Sequence, residues 1–131
     1  MNPLRQELKI PGLNRPISHY TDAVRFGNLL FISGIGPLAE DGSLVGRDDV
    51  VEQTRQIFRN MQKALSAVGA TFADVLKVTV FLTDVDDRTK INPVRQEHFG
   101  SARPASTLVE VSRLAIPGMK VEIEAVVGLP T

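Results

Sequence analysis

The sequence predicts an α+β domain, one unit over residues 1–131, in which two helices pack on one face of a mixed β-sheet. Three observations carry this. Segments near 21–27, 29–34, 75–84, 103–114 and 120–127 have strand character, the clearest alternating apolar and polar residues at period two. The segment from Asp49 to Val68 instead repeats its apolar residues at three, four and seven, the stripe of an amphipathic helix. With 131 residues, 43% hydrophobic and 23% charged, the chain has the size and makeup of one soluble core.

The elements follow in order. Residues 1–18 contain Pro3, Pro11 and Pro16 and little periodicity, so an extended lead-in is expected rather than a helix. Thr21 to Gly27 and Leu29 to Gly34 read as a hairpin turning at Gly27-Asn28, where two residues tolerant of positive φ sit together. Glu40 to Ser43 marks another turn. The long helix then presents Val50, Ile57, Phe58, Met61, Ala64, Leu65 and Val68 on one side, with Asp49 as N-cap, Glu52 as its capping-box partner and Gly69 as the stop. Val75 to Asp84 returns to strand, with Leu76, Val78, Val80 and Leu82 on one face and Lys77, Thr79, Phe81 and Thr83 on the other. A short helix is expected from an Asn92 cap, with Pro93 opening its first turn, to near Gly100. The two last runs, Arg103 to Leu114 and Lys120 to Val127, read as a second hairpin that places carboxylates at period two.

On this order no helix is left for the other sheet face. Thr79, Phe81, Leu108 and some of Leu29, Phe31 and Ser33 would lie there beside Glu122, a mixture too apolar for free solvent and too polar for a dry core. Self-association is expected to cover it and to leave clefts between subunits.

Composition excludes several classes of function. A formal net charge of +0 removes the attraction that nucleic acid and anionic membranes rely on, so a small molecule or a protein is the expected partner. Without cysteine there is neither a disulfide framework nor a thiolate nucleophile. His19 and His98 are the only histidines and have no metal-ligand spacing; phosphate loop, nucleophile elbow and dinucleotide fingerprint are all absent. No metal or cofactor is therefore expected. Nor is there an apolar run of signal or membrane-spanning length, which points to a cytoplasmic location. His98 is expected on the helix surface, and His19 is either a proton shuttle beside Tyr20 or an ordinary loop residue.

Ser18 to Tyr20, Gly27 to Gly34, Lys77 to Asp84, the run from Pro104 to Leu114 and Lys120 to Val127 together resemble the RidA/YjgF family of enamine/imine deaminases along almost the whole chain. The resemblance implies a chorismate-mutase-like fold, a homotrimer with sites at subunit interfaces, and cofactor-free hydrolysis of a small amino acid derivative to a keto acid and ammonia. Such hydrolysis needs proton transfer, a positioned water and a cation or amide cluster for the substrate's carboxylate. By resemblance, Glu122 in Lys120–Glu124 positions the water as acid/base, Tyr20 orients substrate or water, Ser33 and Gly34 form the pocket, and Asn92 contributes to it. On pattern alone each has a plainer reading: solvated strand carboxylate, packed aromatic, turn and helix cap.

One position departs from the family. Its deaminases carry an arginine after Pro-Ala, where this chain has Ser106, followed by Thr107 as a second substrate-contacting position. A serine supplies neither the charge nor the planar fork of a guanidinium. The carboxylate clamp must then come from elsewhere, with Arg25, Arg103 and Arg113 as candidates. The departure moves the expected substrate from 2-aminoacrylate toward a 2-aminomuconate-like acid. It also leaves open a non-catalytic oligomer that binds small carboxylic acids or a partner protein.

Overall fold

The computed structural model describes residues 2–130 and contains a six-stranded mixed sheet with two helices on one face. Strands β1 (Arg5–Leu8), β2 (Ala23–Phe26) and β3 (Leu29–Ile35) form an antiparallel meander, and Gly27 at φ +61° supplies the left-handed turn between β2 and β3. The lead-in is extended, as expected, but it is also paired: Arg5–Leu8 adds an edge strand that the proline-rich sequence does not announce.

Helix α1 (Val50–Ala67) buries Val50, Ile57, Phe58, Met61, Ala64 and Leu65 against the sheet. Asp49 caps it, accepting from the Glu52 N–H at 3.0 Å. The reciprocal half of the expected capping box does not form, because the Glu52 carboxylate turns along the helix to Arg59 at 3.2 Å. At the other end Gly69 has φ +71° and the Ala70 N–H returns to the Leu65 carbonyl, a glycine stop of the expected kind. The buried amide of Gln53 donates to the Gly118 carbonyl at 2.9 Å and accepts from the Lys120 N–H at 2.7 Å. It thereby fixes where β6 (Val121–Gly128) begins.

Strand β4 (Val75–Leu82) keeps the expected faces from Lys77 onward. A register shift against β6 between Val75 and Lys77 turns Val75 inward and leaves Leu76 51% exposed, so Leu76 is not a core residue. Helix α2 (Arg88–Phe99) begins earlier than expected, following a 3-10 turn at Val85–Asp87. Asn92 is therefore inside the helix and caps nothing. Pro93 forgoes one backbone bond there, but Ile91 and Val94 on either side are fully buried, and their packing outweighs the local preference. His98 is also not a surface residue: it is half-buried, its ring stacked on Phe58 at 4.9 Å.

The second hairpin is absent. Strand β5 (Ala105–Glu110) pairs only with β4, in parallel, through the α2 crossover, while β6 inserts between β3 and β4 to give the order β1-β2-β3-β6-β4-β5. Alternation identified both strands but says nothing about pairing, and a parallel strand requires a helical crossover of this kind. The β4–β5 register places Leu108 opposite buried Val80, on the helix side. Val109, opposite Phe81, takes the place expected for Leu108 on the open face.

Candidate active site

Between Ile32 and Ile35 the β3–β6 register shifts, so that Ser33 and Gly34 form a bulge in β3. The bulge is held by two bonds to the neighbouring segment: the Ser33 N–H donates to the Asp22 carbonyl at 3.0 Å and its hydroxyl to the Thr21 carbonyl at 2.6 Å. Glu122 stands against Gly34. A Cβ added at Gly34 would lie 2.5 Å from Glu122 Oε2, so the glycine is what allows the carboxylate to occupy this spot. Ile17, Ser18, Tyr20, Ala115 and Glu124 complete the hollow around them. Tyr20 is 43% exposed, and its hydroxyl accepts from the Ile17 N–H at 3.2 Å, which fixes the ring at the rim. His19 is exposed and lies outside the hollow.

Burial pushes the Glu122 carboxyl above the ordinary glutamate range, and the nearby Glu124 carboxylate pushes it further in the same direction. Among the described residues Glu122 makes no side-chain hydrogen bond, so its oxygens face the hollow with their lone pairs uncommitted. A half-desolvated carboxylate of this kind can accept a proton from water and return it to a leaving group.

The remaining predicted positions lie elsewhere. Strand parity puts Ser106 opposite Val78, on the helix side, and Thr107 opposite Thr79, on the open face, where its hydroxyl accepts from Lys77 Nζ at 2.6 Å. Ser106 and Asn92 share a second hollow between α2 and the edge of β5, together with Arg95, Gln96, Phe99 and Arg103. One chain thus separates the two groups onto opposite faces of its sheet: Tyr20, Ser33, Gly34 and Glu122 in one hollow, Asn92 and Ser106 in the other. Of the three arginines considered as substitutes for the missing clamp, Arg103 lines the second hollow, Arg25 donates to the Gly27 carbonyl at 3.0 Å, and Arg113 lines neither. Arg95 belongs to none of the motifs that single out site residues in the sequence. With the helix start placed at Arg88, the i, i+3 and i+4 spacing of Asn92, Arg95 and Gln96 puts them on one side of α2.

Among the described residues no helix is long and apolar enough to cross a membrane. A family model described as Endoribonuclease L-PSP matches residues 12–128. A RutC family protein of Pyrococcus horikoshii is 42% identical over 112 residues, covering 86% of this chain and 88% of its own length. A human protein named 2-iminobutanoate/2-iminopropanoate deaminase is 37% identical over 119 residues, 90% of this chain and 83% of that one. Among solved structures, a Yersinia pestis protein of the Rid family superposes with a TM-score of 0.89 at 31% identity, covering 95% of this chain and 99% of its own.

Proposed function

Because the chain belongs to the RidA/YjgF family, we propose that it is an enamine/imine deaminase acting on a small amino acid derivative, with Glu122 as the acid/base. One observation carries the reading: a carboxylate pushed toward neutrality, with unused oxygens, held at the floor of a hollow by a glycine that leaves it room. The mechanism follows from its position. An enamine first takes a proton from solvent on carbon to give the iminium ion. Water, held by ionised Glu122, adds to the iminium carbon as one of its protons passes to the carboxylate, giving a carbinolamine. Glu122 returns that proton to nitrogen, and the C–N bond breaks as the C–O double bond forms and the hydroxyl proton leaves to solvent, releasing a keto acid and ammonia. Tyr20 and the Ser33–Gly34 bulge shape the space in which the imine lies. No step calls on a metal or cofactor.

Ammonia release from 2-aminoacrylate, 2-iminobutanoate and 2-aminomuconate, measured beside the uncatalysed rate, tests the reading. Acceleration of at least one is expected. Binding of the corresponding keto acids with no acceleration of any would make the protein a carboxylic acid binder instead.

Self-association is part of the same proposal. Phe31 is 46% and Val109 39% exposed on the open face, with Phe81 between them partly covered, and a homotrimer would bury this patch. It would also bring the Glu122 hollow of one subunit toward the Ser106 hollow of the next, which a single chain keeps apart. Sedimentation at micromolar concentration is expected to give a mass of three chains; a stable monomer would refute it.

A further inference from the structure

We propose that Arg95 binds the substrate's carboxylate, supplying from α2 the guanidinium that Ser106 does not supply from β5; the substrate's identity rests on the deaminase reading above. Arg95 Nη2 donates to Ser106 Oγ at 2.8 Å, the one side-chain hydrogen bond it makes among the described residues. A guanidinium has five N–H donors, so a two-point fork remains available to a ligand. The side chain is half-buried, and burial pushes it below the ordinary arginine value, though it stays charged at neutral pH. Yet neither Arg95 nor Arg103 pairs with a carboxylate among the described residues, and no acidic residue lines their hollow of about 650 Å³. A partly desolvated cation without a counter-ion is a place where an arriving anion gains more than at the open surface.

The surroundings favour an organic acid over an inorganic anion. Phe99 gives an apolar wall for a short alkyl chain, and Asn92 and Gln96 add amides at the rim. Arg95 is also well anchored, since Val94 beside it and Ile91 one turn back are buried in the core. Serine at 106 fits this arrangement: it is small enough to admit the Arg95 guanidinium and gives it an acceptor. An arginine at both positions would set two like charges against each other.

Calorimetric titration of the full-length protein with 2-oxobutanoate, its neutral analogue 2-oxobutanamide and inorganic phosphate tests the assignment. Arg95→Gln keeps most of the stem and a donor to Ser106 but removes charge and fork. It is expected to weaken 2-oxobutanoate binding roughly ten- to a hundred-fold and to leave the amide, already weak, unchanged. The double variant Arg95→Gln/Ser106→Arg, which returns a guanidinium from the strand, is expected to recover most of the loss, which a structural role for Arg95 would not produce. Unaltered acid binding in Arg95→Gln, equal affinity for acid and amide, phosphate binding as strong as the acid, or no 2-oxobutanoate binding by the wild type would each overturn it. The two readings fail separately. Acid bound through Arg95 without ammonia release sinks the deaminase and leaves this site standing, whereas ammonia release that ignores Arg95→Gln does the reverse.

Discussion

Glu122→Gln is expected to lower ammonia release by about a hundred- to ten-thousand-fold, the range general acid/base groups contribute, while leaving fold and assembly intact. Glutamine keeps the shape beside Gly34 and an acceptor oxygen, but cannot take up a proton and return it. Its stability should not suffer. A carboxyl whose pKa is raised in the folded state binds protons more readily there than in the unfolded chain, so its contribution to stability is lost as pH rises through the folded value. The neutral amide needs no proton to stay uncharged in its half-buried place, and it also removes the repulsion from Glu124. The same raised value sets the pH dependence. If ionised Glu122 is the active form, the wild-type rate falls as pH drops, with a midpoint above the ordinary glutamate value of about 4.3, and the residual rate of Glu122→Gln lacks that limb. Glu124→Gln is the control. It shares the strand face but lies roughly 6–7 Å along it and is exposed, so its effect should be far smaller. Equal losses in the two variants, or an acid limb that persists in Glu122→Gln, would remove Glu122 from the proton path.

How much of this was legible in the sequence depends on the range of the interaction involved. Elements fixed by local chemistry were readable: the 3.6-residue stripe of α1, its Asp49 cap and Gly69 stop, and the Gly27 turn. Elements fixed by distant partners were not. Nothing near Arg5–Leu8 reveals that Ala23–Phe26 will accept it as an edge strand, and nothing in the last two runs reveals that β6 will enter between β3 and β4. The start of α2 shows the two in conflict. Asn92-Pro93 is a good local signal for a helix start, and the burial of Ile91 and Val94 overrides it. The same limit applies at the site: a helix from Asn92 to near Gly100 already contains Arg95 and Gln96, but only the crossover that lays α2 beside β5 brings the Arg95 guanidinium to Ser106. Glu122 and Gly34 were found individually, but their mutual contact comes from a register shift that period-two reasoning does not contain.

Phe58→Ala is expected to lower the unfolding free energy by about 3–5 kcal/mol, the usual loss for a buried phenylalanine that leaves a cavity. Phe58 is 1% exposed and at the centre of an aromatic cluster that holds the two helices together. Its ring meets Phe72 edge-on at 5.9 Å and Phe99 edge-on at 5.6 Å, and stacks on His98 at 4.9 Å. Edge-to-face and offset contacts at these distances add to simple burial. Because Phe99 and His98 close the end of α2, and Phe99 also walls the Arg95 hollow, the cavity would loosen the helix that carries Arg95. The variant is therefore expected to lose 2-oxobutanoate affinity as well as stability, although residue 58 lines neither hollow. Urea unfolding at one fixed chain concentration, which keeps any assembly contribution constant, measures the first effect, and titration well below the unfolding midpoint measures the second. Phe58→Leu, which keeps most of the volume, should cost less than about 1.5 kcal/mol and leave affinity near normal. If Phe58→Ala lost no more stability than Phe58→Leu, the cluster would not be what joins α1 to α2. If stability fell while affinity held, Arg95 would be positioned by Ile91 and Val94 alone.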